Sequence, residues 1–245
     1  MLLVLSALVA LGALRALCAS GSDAGIAGTL PDVAGNVNEG RASGPRVPDT
    51  EDAGNTPDSP ESPDAAVEIP QDLKPLAWLI GRWIGVGTGQ YPTIEDFRFE
   101  QEVAFSCDGR PFLSYLSRSW LLDDEGARLR PLATEAGFWR ARPGNVVEVT
   151  MAHPTGFAET WLGSLEVTGM TNAVITGARI DMRSAEVLRT PSAKDYSAGH
   201  RLYGLVNGRL LWTFDMAAMG ESMTNHLAVT LSPVAPSTHA ASEVS

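Results

Sequence analysis

Few side chains in this sequence could do chemistry: there are four histidines and two cysteines, with carboxylates scattered between them. His239 sits in a polar tail with nothing to act on. His200 opens an extended run beside Gly199, where a surface position is expected. His153 precedes Pro154 at the end of another run, and a turn-stabilising hydrogen bond accounts for it. His226 differs through its neighbours. Even positions carry Ser222, Thr224, His226, Ala228 and Thr230, and odd positions carry Met223, Asn225, Leu227, Val229 and Leu231. In a strand the two sets face opposite ways. Either the odd face packs and His226 meets water, or the small, polar even face borders a cavity and the imidazole offers a ring nitrogen to a metal there. No second histidine, cysteine or carboxylate lies near His226 at ligand spacing, which argues against a protein-only zinc site. One histidine is enough when a porphyrin supplies the other four nitrogens. Nucleophile chemistry finds little support. Cys107 stands in a turn beside Asp108-Gly109, no Gly-x-Ser-x-Gly elbow exists, and Asp123 and Asp124 read as solvated turn residues.

What positions these residues is a sheet that begins at a glycine-rich stretch. Gly81, Trp83, Gly85 and Gly87 alternate and so share one face of an extended strand. Such a strand packs weakly and belongs where a sheet bends sharply or a neighbour approaches its backbone closely. Closure into a small barrel supplies both conditions. A phosphate-binding loop fits poorly, because no helix-forming run and no Gly-Lys-Ser/Thr follows. From there the period stays at two. Phe97, Phe99, Gln101, Val103 and Phe105 share a face, and further runs follow between turns at Asp108-Gly109, Asp123 to Gly126, Arg142 to Asn145, His153 to Gly156 and Asn207-Gly208. Ser184 to Asp195 reads as irregular, with a helical turn as one option, and Pro233 is expected to end the last strand. The count is about ten. This predicts an all-β, antiparallel up-and-down barrel wide enough to hold a ligand, with a sandwich as the alternative. Before it, Leu73, Leu76, Ala77 and Ile80 predict one short amphipathic helix over residues 71–80.

Composition fixes the outer limits. The chain carries a net charge of −11 with no basic cluster, which argues against nucleic acid or an anionic membrane as partner. Residues 1–20 include an uncharged apolar run too short to span a bilayer, read as an atypical export signal or a start placed too far upstream. The favoured compartment is the cytoplasm, with export as the alternative. Residues 21–67 are acidic and rich in Pro, Gly and Ala, without an aromatic residue, and are expected to form a disordered linker. The barrel domain is expected over residues 68–233, and a disordered tail over 234–245. Cys18 and Cys107 support neither a disulfide framework nor a zinc site.

Taken together, Gly81-x-Trp83-x-Gly85-x-Gly87, Tyr91-Pro92-Thr93-Ile94, Glu135 to Arg140, Ala152 to Gly156, Pro191 to Lys194, Met216 to Met219 and Asn225-His226-Leu227 resemble the nitrobindins in consistent order. These are haem-binding barrels similar to the fatty-acid-binding proteins. The resemblance implies a ten-stranded barrel with one haem b at its mouth and His226 as proximal iron ligand. It also implies that Thr93 and Lys194 contact or border the haem. The implied activity is isomerisation of peroxynitrite to nitrate, together with nitric oxide binding. Two non-catalytic alternatives remain at this point: a carrier of an apolar small molecule, and a nitric oxide sensor.

Overall fold

The fold is described from a computed structural model, over residues 68–235. The expectations for residues 1–67 and for the tail beyond residue 235 lie outside the described residues. Ten antiparallel strands close into one barrel: β1 (Gly81–Tyr91), β2 (Ile94–Ser106), β3 (Leu113–Leu122), β4 (Arg128–Arg142), β5 (Val146–His153), β6 (Phe157–Thr171), β7 (Val174–Arg189), β8 (Tyr196–Val206), β9 (Arg209–Ala218) and β10 (Thr224–Val234). Each strand pairs with its sequence neighbours, and β1 pairs with β10 to complete the circle. The expected first strand, its starting residue and the hairpin rhythm are all present.

The inward face explains the glycines. Gly85 stands so close to β10 that an added Cβ would lie 2.1 Å from the Thr230 carbonyl oxygen. At Gly87 and Gly89 the space of the missing side chain is filled by the Phe99 and Phe97 rings across the ladder. The glycines thus admit aromatic rings and a tightly coiled strand, the two reasons a barrel tolerates them. Trp83 lies on the same face, buried, and donates its indole N–H to the Leu79 carbonyl at 2.8 Å. That bond ties the barrel wall to the helix before it.

The helix spans Gln71–Leu79 and is 3₁₀ along its length. Leu73, Leu76 and Leu79 recur every three residues, matching three residues per turn, so all three stack on one side and are fully buried. They plug the barrel end at which β1 begins, leaving the opposite end for a cavity.

Two expectations need correction. Ser184 to Asp195 is not irregular throughout: β7 continues to Arg189, paired with β6 back to Phe157. A bulge that skips Ala185 breaks the alternation there and hides the strand. Pro233 does not end β10 either, because Trp83 pairs with Pro233 and Arg82 with Val234. A proline lacks only the N–H, which a strand end can spare.

Among the described residues no helix is long and apolar enough to cross a membrane.

Candidate functional site

At the open end lies a cavity of about 1170 Å³, larger than most small-molecule sites. Its walls include Phe97, Phe99, Leu121, Phe157, Trp212 and Leu227, and His226 projects among them. Neither reading of β10 holds whole: from Leu227 on the odd face does pack inward, yet His226 lines the cavity instead of meeting water with the even residues. Val229 and Leu231 are buried on the inner side, and Leu227 lines the cavity, so the odd residues face inward. His226 joins them because β10 carries a bulge: Asn225 pairs with Asp215 and Leu227 with Phe214, so His226 is the extra residue. An inserted residue breaks strict alternation, and here two consecutive side chains, His226 and Leu227, both line the cavity.

The imidazole is held on several sides. Tyr91, Phe97 and Phe214 approach with ring centroids 5.6, 6.1 and 6.1 Å away, all in edge-on or T-shaped arrangements. Nδ1 stands 2.9 Å from the Gln90 carbonyl oxygen. Gln90 is free to offer that oxygen because the β1–β2 register shifts between Gly89 and Tyr91. A carbonyl can only accept, so Nδ1 carries the proton and donates it, and Nε2 keeps a lone pair. Burial lowers the ring's pKa from its ordinary value, the Gln90 bond opposes this, and the charge of Arg201 lowers it again. The net result is a neutral imidazole with a fixed tautomer, as a metal ligand requires.

Tyr91 anchors this arrangement. Its hydroxyl accepts the Ala218 N–H at 2.9 Å and lies 3.1 Å from the Ala218 carbonyl and 3.2 Å from that of Met216. One side chain of β1 thereby grips the end of β9 while its ring edge supports His226.

Below the cavity is a polar layer that sequence reasoning did not identify. Arg201 donates to both oxygens of Glu135, at 2.7 and 3.0 Å, and Tyr115 donates to Glu135 Oε2 at 2.8 Å. The Arg201 guanidinium is only 1% exposed and packs against Phe214 at 4.7 Å and Trp161 at 5.1 Å. Burial alone would raise the Glu135 pKa, but the charge and hydrogen bonds of Arg201 outweigh it and hold it at about 2. Gln101 completes the layer, donating to Ser117 Oγ and accepting from Trp212 Nε1, each at 2.9 Å. The one signal of this layer was Gln101 itself, a polar residue on the apolar face of β2.

The remaining candidates are spread around this centre. Lys194 lines the mouth in the β7–β8 loop and is exposed, and its carbonyl accepts from Arg189 at 3.2 Å. Thr93 is exposed in the β1–β2 turn, between the cavity-lining residues Gln90 and Ile94 but not itself among them. His153 does more than stabilise a turn: its Nε2 bonds Glu159 at 2.7 Å across the β5–β6 hairpin, and its Nδ1 lies 3.9 Å from Glu135. His200 is not simply at the surface. Its ring is largely covered on the outer face of β8, 2.9 Å from Asp181 and 3.6 Å from Asp215. Those two carboxylates raise its pKa to about 9 against the opposing effect of burial. Asp123 and Asp124 line the mouth from the β3–β4 turn.

Residues 72–232 match the model of the THAP4-like, heme-binding beta-barrel domain. The chain belongs to that family. Relatives in the family include a peroxynitrite isomerase of Nocardioides sp., 46% identical over 164 residues that cover 65% of this chain and 94% of that protein. A peroxynitrite isomerase of Salinispora tropica is 46% identical, covering 62% of this chain and 75% of its own length. A ferric nitrobindin-like protein of Streptomyces griseus is 41% identical over 175 residues, covering 68% and 88%. Among solved structures, that of Rv2717c from M. tuberculosis superposes with a TM-score of 0.62 at 31% identity, covering 68% of this chain and 99% of that one.

The residues present fit a haem of this family. The aromatic and aliphatic side chains around His226 suit the macrocycle, the polar residues at the mouth suit its propionates, and a neutral imidazole with a free Nε2 suits the iron. Among the described residues no cluster of three His, Cys, Asp or Glu could hold a bare metal ion, so the iron would have to bring its own equatorial ligands.

Proposed function

We propose that this protein binds one haem b in the barrel mouth and isomerises peroxynitrite to nitrate there, with His226 as the proximal ligand. The observation that carries this reading is the β10 bulge, which turns a neutral, tautomer-fixed imidazole into the cavity among Phe97, Phe99 and Leu227. When bound, ferric haem supplies a Lewis-acidic centre for the peroxynitrite anion. The same iron would take nitric oxide. The reaction rearranges one anion into another, so the chain need supply no net proton and no second substrate. What the chain supplies is position and environment. Gln90 fixes the imidazole proton on Nδ1, and the rings of Tyr91, Phe97 and Phe214 fix the ring plane. Phe97, Phe99, Phe157 and Leu227 keep water off the part of the wall they cover. Lys194 at the mouth places a cation where an incoming anion or a haem propionate would pass, and Thr93 borders the rim beside it.

A carrier of fatty-acid-like molecules finds less support. Such a guest would want a free interior cation for its carboxylate, and the buried Arg201 is already engaged by both oxygens of Glu135.

Titrating the protein with haemin tests the binding reading. The parent should develop a Soret band saturating at one haem per chain, and His226→Ala should lose that band or show a shifted, weaker one. An unaltered spectrum in the variant sinks the assignment. Stopped-flow decay of peroxynitrite should accelerate with the loaded parent; an unchanged rate would leave only binding.

A further inference from the structure

A bulge is not self-fixing. If the extra residue of β10 moved one place toward the amino end, or the strand relaxed to regular alternation, His226 would take the place opposite Asp215 and face solvent. Something must hold the bulge where it is. Toward the carboxyl end, Leu227 is set inward opposite Phe214 and Gly89. Toward the amino end the restraint is on the outside of the barrel. Asn225 pairs with Asp215 and donates its amide to Asp215 Oδ1 at 2.7 Å. The other Asp215 oxygen lies 3.6 Å from His200, which in turn bonds Asp181 at 2.9 Å. An outer-face chain thus runs from β10 across β9 and β8 to β7 and ends on the residue immediately before His226.

We infer that Asp215 and Asn225 are positioning residues: their outer-face hydrogen bond pins the bulge that turns His226 into the cavity. Neither touches the cavity, since both side chains point away from it; they act through the backbone they fix. A hydrogen bond to a carboxylate is stronger and more directional than a neutral one, which suits a pin. The inference rests on the reading of His226 as a haem ligand, but its structural half holds for the haem-free protein as well.

The test uses Asn225→Ala, Asp215→Ala and the conservative Asp215→Asn, which keeps an acceptor facing Asn225. In the haem-free protein, nitrogen-15 NMR of the histidine rings should show a protected Nδ1–H at His226 in the parent and in Asp215→Asn. That signal should be lost in both alanine variants. Haemin affinity should fall about tenfold or more in the alanine variants and be largely kept in Asp215→Asn. Thermal midpoints should move by only a few degrees, roughly what one part-buried hydrogen bond is worth in a domain of this size. Alanine variants that keep both the ring signal and the haemin affinity would overturn the inference. So would loss of both in Asp215→Asn, because that would make the aspartate's charge, rather than its bond to Asn225, the effective feature. His226→Ala run in the same series tests the underlying reading. If that variant takes up haemin with the parent's spectrum, His226 is no ligand, and the pin is then decided by the ring signal alone.

Discussion

Arg201 and Glu135 sit inside the barrel with both guanidinium–carboxylate bonds made and a tyrosine hydroxyl on the same oxygen. Removing water from two charges is costly, and the pair holds only because each answers the other. Breaking one side leaves the other charged and buried. Glu135→Gln should therefore destabilise the protein by about 3 kcal/mol or more, read from urea midpoints at neutral pH. Replacing both at once, Glu135→Leu with Arg201→Met, should cost less than the single change, since no orphaned charge remains. A double variant worse than the single would mean that the pair organises the layer above it, including Tyr115 and the Phe214 ring beside His226.

At the scale of the element, β1 and β10 carry the argument. Gly85 has no room for a Cβ, because the obstacle is the backbone of Thr230 rather than a movable side chain. Gly85→Ala should cost about 1–3 kcal/mol through forced backbone shifts. Gly126→Ala, in a turn where an added Cβ meets nothing within 4 Å, should cost only what its left-handed backbone imposes. Comparing the two denaturation curves checks this; equal losses would show that β1 can move away from β10. The legibility of these elements in the sequence follows the same physics. β1 could be read because its glycines and Trp83 repeat with period two, and the hairpins because Asp-Gly and Asn-Gly mark tight turns. The inner face of β10 could not, since the bulge at His226 inverts side-chain parity without leaving a trace in the pattern of polar and apolar residues. His226 was therefore picked out for its chemistry, on a face argument that the fold reverses. Ala185 hid the end of β7 in the same way. Glu135 and Arg201 were missed because each sits singly in its own strand, and only the closed sheet brings them together.

For the whole molecule, two groups set opposite limits on stability against pH. Glu135 titrates at about 2 in the fold against an ordinary 4.5, so its contribution is present above about 4.5 and is lost as pH falls through about 2. His200 titrates at about 9 against an ordinary 6.5, so its contribution is complete below about 6.5 and is lost as pH rises through about 9. Stability should thus form a plateau between these limits and decline on both sides, as chemical unfolding across the range would show. His200→Gln should flatten the alkaline limb and leave the acid limb alone; Glu135→Gln should do the reverse.

The barrel closes by joining its first strand to its last, and the His226–Gln90 bond lies across that join. Gln90 is made early and His226 late, with eight strands between them in the order of synthesis. Until β10 docks, the imidazole has neither its proton acceptor from β1 nor the Phe214 ring from β9 packed against it. A ribosome-bound chain that stops at β9 therefore has most of the wall but lacks the His226 imidazole proposed to hold the iron. With His226 as the proposed ligand, cofactor capture must wait until β10 has been made and docked, and the appearance of the Soret band becomes a clock for barrel closure. In refolding experiments started with haemin present, that band should rise no earlier than the slowest step in the pairing of β1 with β10.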